Sequence, residues 1–348
     1  MKELMLEAGC SSLTWESKDQ KHLWGRNFDF NRIAQGTGIT YIPKGLEYYT
    51  MGSALEHNLS EENKTTAQLT AMGMGSFIMK PTPVLYEGVN EAGLMGGQLY
   101  YRQLARYATQ NHHHLQEVQP AYVVTHVLTH CRTVDDVQTL FQSEMVVKKV
   151  GIFGKIPDIH WFFSDAKGQS IVVEMDQTGL HLITDNLGVL TNSPDYNWHC
   201  HHLKEYANLQ PKDVMNQSIN GQSLSPCYSG TGMIGLPGDW SSPSRFVRLA
   251  LLREYAQKGD NESIAVARMF RLLQNVAFPL GLIEVGDTTD VGQHDTDLLP
   301  YDYTVYSAVM CAESKTYYWY TYDDPMMHSI TLDDFVPNST CQVKLLSF

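Results

Sequence analysis

The stretch CSSLTWESKDQKHLWGRNFDF, residues 10–30, decides how this 348-residue chain is interpreted. Strand-forming residues lie on both sides of a polar Lys-Asp-Gln-Lys segment, so the stretch predicts a β-hairpin. A turn centred on the Asp-Gln pair places Cys10 opposite Asp29 and Leu13 opposite Arg26. We therefore expect the hairpin alone to bring a carboxylate to Cys10, with a guanidinium close by.

Cys10 follows Gly9 and would become an N-terminal residue if the peptide bond between them were cut. A free α-amine, with a reference pKa of about 8, beside a thiol of about 8.5 places a base and a nucleophile on one residue. Arg26 favours the thiolate, and Asp29 can orient and support the ammonium group. A cysteine is more commonly a small buried apolar residue, and the spacing alone leaves both interpretations open.

The composition excludes several classes of protein. Hydrophobic residues make up 43% of the chain, enough for a sizeable core. The 25 Lys and Arg against 38 Asp and Glu give a net charge of −13, which argues against a nucleic-acid partner. No apolar run has the length of a membrane span, and residues 1–9 do not resemble a secretory signal. The six cysteines lack framework spacing and predict reduced thiols in a cytoplasmic protein.

Hairpin patterns alternate with helical patterns along the rest of the chain. Further strand pairs are predicted within 84–101, 160–190 and 303–322. Helices are predicted over 121–141, interrupted by a cap at Thr133, and over 243–257 and 263–277. Hairpin connections imply antiparallel sheets. Because no linker separates two compositional halves, we expect one domain of layered sheets and helices.

Five blocks of the sequence carry a family resemblance. They are CSSLTWESKDQKHLWGRNFDF (10–30), VLYEGVNEAGLMGGQLYY (84–101), IHWFFSDAKGQSIVVEMDQTGLHLITDNLGVLTNSPDYNWH (159–199), GMIGLPGDWSSPSRFVR (232–248) and YTVYSAVMCAESKTYYWYTYD (303–323). In this order they resemble the choloylglycine hydrolase family of N-terminal nucleophile hydrolases, which comprises conjugated bile salt hydrolases and penicillin V acylases. The resemblance implies an α+β fold, a four-layer αββα sandwich of two antiparallel sheets flanked by helices. It also implies a leader, residues 1–9, that is removed on maturation, and a single hydrolase domain over 10–348.

The resemblance implies roles for three residues of the hairpin. Cys10 resembles the family's nucleophile, and Arg26 resembles the basic partner beside its sulfur. Asp29 resembles the carboxylate that holds the α-amine. Nine residues must be lost here before Cys10 is exposed, whereas many relatives lose only the initiator methionine, so we expect Cys10 to attack the Gly9 carbonyl itself.

Three further site residues come from distant segments. Asn192 resembles the side-chain donor of the oxyanion hole, and the backbone at Tyr100 resembles the second donor. Arg245 resembles the second active-site arginine. From the residues alone, other interpretations stay open: Asn192 before Ser-Pro can shape a turn, Arg245 can be a solvated residue in a first helical turn, and Tyr100 can be an ordinary strand aromatic.

The function implied is hydrolysis of a linear amide C–N bond through a thioester, with no metal or organic cofactor. Tyr100 stands where penicillin V acylases usually have tyrosine and bile salt hydrolases usually have asparagine. The sequence therefore favours a penicillin V acylase-like amidase, with a conjugated bile salt hydrolase acting on glycine or taurine conjugates as the alternative. The expected partner is a small-molecule amide, without nucleic acid or membrane, and family analogy implies a homotetramer.

Two classes of protein outside this family are compatible with single features of the sequence. A catalytically inactive binding protein on the same fold would keep residues 1–9. Gly230–Gly235 matches the dinucleotide fingerprint GxGxxG, but neither an apolar strand before it nor a helix after it is predicted, which argues against a nucleotide-binding oxidoreductase. The runs His112–His114 and His199–His202 offer metal-ligand residue types, but adjacent residues rarely converge on one ion, so they predict solvated surface.

Overall fold

A computed structural model of the protein describes residues 9–152, 155–214, 217–285, 295–296, 299–335 and 340–346. Two large antiparallel sheets lie face to face, and helices cover the outer face of each. This is the α+β sandwich predicted from the sequence. Residues 1–8 of the expected leader lie outside the described part of the chain, and Gly9 is inside it. Within the described ranges, no helix is long and apolar enough to cross a membrane.

The first sheet is built around the hairpin. Its hydrogen-bonded order is Val189–Leu190, Cys10–Glu16, His22–Phe30, Tyr301–Cys311, Thr316–Thr321 and His328–Thr331, and Ile283–Glu284 also pairs with Tyr301–Cys311. The helices Ser242–Tyr255 and Glu262–Gln274 pack on its outer face. The N-terminal hairpin therefore lies beside strands from the far end of the chain.

The central strands of the second sheet are buried on both faces, whereas its two edge strands are partly exposed. Its order is Gly179–Ile183, Ser170–Asp176, Ile159–Ser164, Met95–Tyr100, Glu87–Asn90, Ala71–Ser76, Thr37–Ile42 and Gln342–Leu345, and Val84–Leu85 also pairs with Ala71–Ser76. Successive side chains of a strand point to opposite faces. Phe162 accordingly packs in the cluster shared with the first sheet, whereas Trp161 and Phe163 pack in the cluster shared with the helices Val123–His130 and Val134–Thr139.

Shorter elements complete the fold. Small ribbons pair Glu47–Tyr49 with Lys64–Thr66, Gln116–Val118 with Met145–Val147, Gln217–Ile219 with Gln222–Leu224, and Asp295–Thr296 with Ile33–Ala34. The remaining helical segments are Ala54–Glu56, Glu61–Asn63, Pro120–Tyr122, Leu140–Glu144, Tyr196–Leu203, Lys204–Tyr206, Thr231–Met233 and Leu332–Asp334. Thr133 forms the predicted cap between two helices, with a reciprocal capping box to Asp136. The Gly-rich segment 230–235 contains a single 3-10 turn and not the strand-to-helix turn that a dinucleotide fingerprint requires.

The hairpin itself is confirmed, but its predicted register is wrong by one residue. Cys10 pairs with Phe28 and Ser12 with Arg26, because the turn Ser17–Lys21 is centred on Asp19 rather than between two residues. Directly opposed residues share a face of the sheet, and alternate residues along a strand share it too. Arg26 therefore lies on the face of Cys10, whereas the predicted register would have turned it to the other face. A bulge follows Phe28 on the side of Tyr301–Cys311.

Candidate active site

The centre of the site is a contact between Cys10 and Arg26. Nη2 of Arg26 donates to Sγ of Cys10 at 2.7 Å, and both side chains are buried. Burial raises the pKa of the Cys10 thiol, and the Arg26 guanidinium opposes that rise. A buried thiol with a cation at hydrogen-bonding distance is placed for nucleophilic chemistry, because the cation favours the thiolate.

Arg26 is held by groups from the second sheet. Its Nη1 donates to Oε2 of Glu87 at 3.1 Å and to the carbonyl oxygen of Gln98 at 2.8 Å. Burial lowers the pKa of Arg26, but Cys10 and Glu87 outweigh burial and its pKa is raised. The guanidinium is therefore a permanent cation at the thiol.

Asp29 supplies a buried carboxylate with one oxygen unpartnered. Its Oδ1 accepts from Oγ1 of Thr304 at 2.5 Å, and Oδ2 has no hydrogen-bond partner in the described ranges. Burial raises the pKa of Asp29 to about 7, against the opposing effect of Arg245 and Thr304. The backbone of Asp29 in turn lowers the pKa of the Cys10 thiol, against the larger effect of burial. An unpartnered buried acceptor is costly unless something binds it, and an α-ammonium group at Cys10 is the group that the sequence analysis assigned to it.

Asn192 connects Cys10 with Tyr100 and Arg245. Its Oδ1 accepts from the backbone N of Cys10 at 2.8 Å and from Nη2 of Arg245 at 2.8 Å. Its Nδ2 donates to the carbonyl oxygen of Tyr100 at 3.0 Å. A carboxamide carries two N–H groups, and this bond uses one of them.

Tyr100 ends the strand Met95–Tyr100 beside Asn192. The N–H of Tyr101 donates at 2.8 Å to the carbonyl of Asp158, which directly precedes the neighbouring strand Ile159–Ser164. Because successive N–H groups of a strand point to opposite edges, the N–H and carbonyl of Tyr100 both point away from that neighbour. The carbonyl accepts from Asn192. The backbone of Tyr100 thus lies beside the Asn192 carboxamide, and its role as an oxyanion donor stays a prediction from the family resemblance.

Arg245 is buried, not solvated, so that alternative is wrong. It projects from the first turn of the helix Ser242–Tyr255, and its Nη1 donates to the carbonyl of Cys10 and to Oγ of Ser11, both at 2.6 Å. Its Nε donates to the carbonyl of Trp240 at 2.8 Å. The helix thereby clamps the backbone at Cys10.

Two residues that the sequence analysis did not assign hold the backbone of Asn192. Oγ of Ser242 accepts from the N–H of Asn192 and donates to its carbonyl, each at 2.9 Å. Nε2 of His199 lies 2.8 Å from the same carbonyl. Burial lowers the pKa of His199 to about 4, so its imidazole is neutral and donates from Nε2. His199 is therefore not the solvated histidine predicted from its run, and no sequence pattern distinguished it from its neighbours.

The contacts described above involve neither the other histidine run nor any cysteine besides Cys10. His112–His114 are exposed, as predicted. Across the part of the chain that the structure describes, no group of three or more His, Cys, Asp and Glu side chains could hold a metal ion. All six cysteines are free thiols, in line with their scattered spacing.

A cavity of about 190 Å³ opens at Cys10. Four aromatic rings line it, those of Phe28, Phe30, Tyr86 and Tyr100. Phe28 stacks on Tyr306 at 4.9 Å between ring centroids, so the floor of the cavity is fixed by the core of the first sheet. The cavity can take a compact apolar or aromatic group next to the thiol.

Gly9 lies buried on the other side of Cys10. A Cβ atom at this position would lie 2.7 Å from Nη2 of Arg245 and 2.7 Å from Cζ of Phe278. Both neighbours belong to the packed site, and Arg245 itself lies over the Phe278 ring at 5.0 Å. Any residue larger than glycine directly before Cys10 would therefore require these neighbours to move.

Comparison with known proteins agrees with this geometry. The family model described as linear amide C–N hydrolases, choloylglycine hydrolase family, matches residues 10–342. The bile salt hydrolase/transferase of Clostridium perfringens is 32% identical over 326 residues, which cover 93% of this chain and 92% of that protein. The conjugated bile acid hydrolase of Lactobacillus acidophilus is 31% identical over 337 residues, 96% of this chain and 99% of that protein.

Solved structures extend the agreement to the fold. An arginine-to-leucine variant of the conjugated bile acid hydrolase from C. perfringens superimposes with a TM-score of 0.82 at 27% identity, over 97% of both chains. The penicillin V acylase from Agrobacterium tumefaciens gives a TM-score of 0.65 at 20% identity over 93% of this chain and 86% of that one, a likeness of fold alone. The fold and site define an enzyme that hydrolyses linear amides. The chain belongs to the choloylglycine hydrolase family.

The buried Asp29 carboxyl predicts a pH-dependent stability of the uncleaved chain. In a Cys10→Ala variant, which lacks the thiol, we expect the free energy of unfolding to fall as the pH rises from about 4 to about 7. The folded chain keeps the Asp29 proton up to a pKa of about 7, whereas the unfolded aspartate releases it near pH 4, so the folded state loses this advantage across that window. The loss is at most about 4 kcal/mol, and urea unfolding at a series of pH values measures it.

The matched control carries Asn in place of Asp29 in the same background. It has no proton to release at this position, so the difference between the two unfolding free energies isolates Asp29. A difference that stays constant between about pH 4 and pH 8 would contradict the raised pKa.

Proposed function

We propose that Cys10, once its α-amine is free, is the nucleophile with which this enzyme hydrolyses linear amides through a thioester. The observation that carries the proposal is the 2.7 Å contact of the Cys10 sulfur with the buried Arg26 guanidinium. The hydrogen bond from the Cys10 backbone N to Asn192 supports the proposal, because this nitrogen becomes the α-amine that acts as the base and the bond fixes its position. Asp29 supplies the carboxylate that would hold the ammonium form.

Each step uses a group of the site. The α-amine takes the thiol proton, and the thiolate attacks the substrate carbonyl carbon. The second N–H of the Asn192 side chain and the backbone N–H of Tyr100 stabilise the oxyanion. The C–N bond breaks, and the leaving amine takes the proton back from the ammonium group. Water then attacks the thioester, releases the acid and returns the free thiol.

Removal of the Asn192 carboxamide tests the oxyanion step. In the processed enzyme we expect Asn192→Ala to lower kcat by about 10²–10³-fold, because one preorganised donor is lost. Steady-state hydrolysis of an amide substrate measures the loss. Asn197→Ala, an exposed position on the following helix, is the matched control and should keep normal turnover. Near-normal turnover of Asn192→Ala would reject its role.

We propose an amide of a compact aromatic acid, as in penicillin V, as the substrate that the cavity fits best. A volume of about 190 Å³ lies below the range of about 300–1,000 Å³ that holds drug-sized ligands. The rings of Phe30 and Tyr100 lie 5.7 Å apart at this cavity and offer aromatic surface to a phenyl ring. Arg32, which also lines the cavity, provides a cation for an anionic substrate.

A conjugated bile salt is the second candidate. It is favoured by the relatives at 31% and 32% identity, which are named for that activity and match over more than nine-tenths of this chain. Accepting a steroid would require the cavity to open beyond its present size. The two candidates share the reaction and differ in the acyl group.

A side-by-side assay separates them. We expect faster turnover of penicillin V than of glycine- or taurine-conjugated bile salts by the wild-type enzyme. Tyr100→Asn should lower the ratio of the two kcat/KM values by roughly tenfold, because it removes an aromatic contact with the phenoxyacetyl group and widens the cavity. Equal rates on both substrates, or a ratio unchanged by Tyr100→Asn, would show that Tyr100 does not set specificity.

We also propose that residues 1–9 are removed by Cys10 itself. Its sulfur would attack the Gly9 carbonyl, the peptide C–N bond would break as the acyl group moves to sulfur, and water would release the leader. The buried glycine and the Arg245 clamp on the next carbonyl support this. A homotetramer and a cytoplasmic location stay predictions from the family resemblance and from the reduced cysteines.

Substitution of Gly9 tests the maturation step. We expect Gly9→Val to slow leader removal by roughly tenfold or more, because added atoms overlap Arg245 and Phe278 and displace the scissile bond. Intact-mass measurement of the purified protein over time follows the loss of residues 1–9. Gly238→Ala is the matched glycine control, since nothing lies within 4 Å of its added Cβ. A wild-type enzyme that is active with its leader attached would overturn the proposal and favour a different use of the fold.

A further inference from the structure

Glu87 is a buried carboxylate that the proposed reaction does not use. It begins the strand Glu87–Asn90 of the second sheet, and its side chain is fully buried. Its oxygens accept from the hydroxyl of Tyr306 at 2.9 and 3.0 Å, from the hydroxyl of Tyr317 at 2.6 Å and from Nη1 of Arg26 at 3.1 Å. All three donors belong to the first sheet, so one carboxylate joins the two sheets directly behind the nucleophile.

Neighbouring glycines fix the backbone at Glu87. Gly97 pairs with Glu87 on one side, and a Cβ at Gly97 would lie 2.5 Å from the Cβ of Glu87. On the other side, a Cβ at Gly73 would overlap the carbonyl oxygen of Glu87. Only glycine permits such close strand approach. The carboxylate is therefore held in place by the sheet as well as by its donors.

The planarity of the guanidinium links Glu87 to Cys10. The donors of an arginine point in fixed directions from one plane. With Nη1 bound to Glu87 and to the Gln98 carbonyl, Nη2 is aimed at the Cys10 sulfur. Movement of Nη1 would move Nη2 with it.

The same arrangement divides one positive charge between two anions. The charged groups around Cys10 are Arg26, Asp29 and Arg245. Glu87 faces the charged guanidinium of Arg26 and the neutral hydroxyls of Tyr306 and Tyr317, which donate hydrogen bonds to it. Burial raises the pKa of both Cys10 and Glu87, and Arg26 opposes each rise. A carboxylate that neutralises part of the Arg26 charge leaves less of that charge to stabilise a thiolate.

We propose that Glu87 is a positioning residue that aims Arg26 at the Cys10 sulfur and limits how strongly the guanidinium stabilises the thiolate. The inference rests on the proposed role of Cys10 as nucleophile. A thiolate that is stabilised less is the stronger nucleophile, because nucleophilicity falls as basicity falls. Glu87 therefore keeps the sulfur reactive while its proton passes to the α-amine.

The test is the pH dependence of Cys10 alkylation in the processed enzyme. Iodoacetamide is the probe, and peptide mass spectrometry locates the modification at Cys10. In Glu87→Gln, which removes the charge and keeps the shape, we expect the midpoint of the rate profile to fall by about one pH unit. We also expect kcat to fall about tenfold with KM within about twofold, because Glu87 does not line the cavity.

Two further variants separate charge from packing. Tyr317→Phe removes a donor to Glu87 but leaves its charge, and its alkylation midpoint should match the wild type. Glu87→Asp keeps the charge but moves the carboxylate away from Nη1 of Arg26 by the length of one methylene. The alkylation midpoint of this variant should stay near the wild type, while kcat falls because Arg26 is no longer aimed at the Cys10 sulfur. If Glu87→Gln does not fold, Glu87→Asp carries the test alone, and an unchanged kcat in that variant overturns the inference.

The outcomes distinguish this inference from the proposed function. Loss of stability in Glu87→Gln with an unmoved midpoint would show a purely structural role and overturn the inference. Cys10→Ala that retains amidase activity would overturn the proposed function whatever the midpoints. Inactive Cys10→Ala together with a lowered midpoint in Glu87→Gln supports both.

Discussion

The structure depends on one buried cation, the guanidinium of Arg26. A charge without water around it is tolerated only when its donors are satisfied and its charge is matched. Nη1 of Arg26 donates to Glu87 and to the Gln98 carbonyl, and Nη2 donates to the Cys10 sulfur. These contacts cross the space between the two sheets, so the packing of the sandwich and the chemistry of the thiol are set by the same group.

The rest of the site is a clamp around the backbone at Cys10. Oδ1 of Asn192 accepts a hydrogen bond from the N–H of Cys10, and Nη1 of Arg245 donates one to the carbonyl of Cys10. Both residues are held in turn: Ser242 and His199 bond the backbone of Asn192, and Nε of Arg245 donates to the Trp240 carbonyl. Preorganisation of this kind lowers the barrier, because the donors need not reorient as charge develops.

Local patterns predicted most of the fold and the family resemblance predicted most of the site. Alternating strands, turn residues and the Thr133 cap depend on near neighbours and were correct as elements. The register was off by one because the turn Ser17–Lys21 uses Gln20 at positive φ, a choice that the polar residues did not reveal. Glu87 and His199 were missed because their roles come from strands and loops that meet only in the folded chain. A carboxylate inside an apolar strand was the one available signal for Glu87.

The strand Tyr301–Cys311 of the first sheet pairs with His22–Phe30. The ribosome synthesises His22–Phe30 early and Tyr301–Cys311 near the end of the chain. A nascent or truncated polypeptide that lacks the later strand also lacks Thr304 and Tyr306, and so leaves Asp29 and Glu87 without these hydroxyls. The hydrogen bonds that hold Asp29 and Glu87 near Cys10 are therefore complete only once the strand Tyr301–Cys311 has been synthesised and has paired with the hairpin.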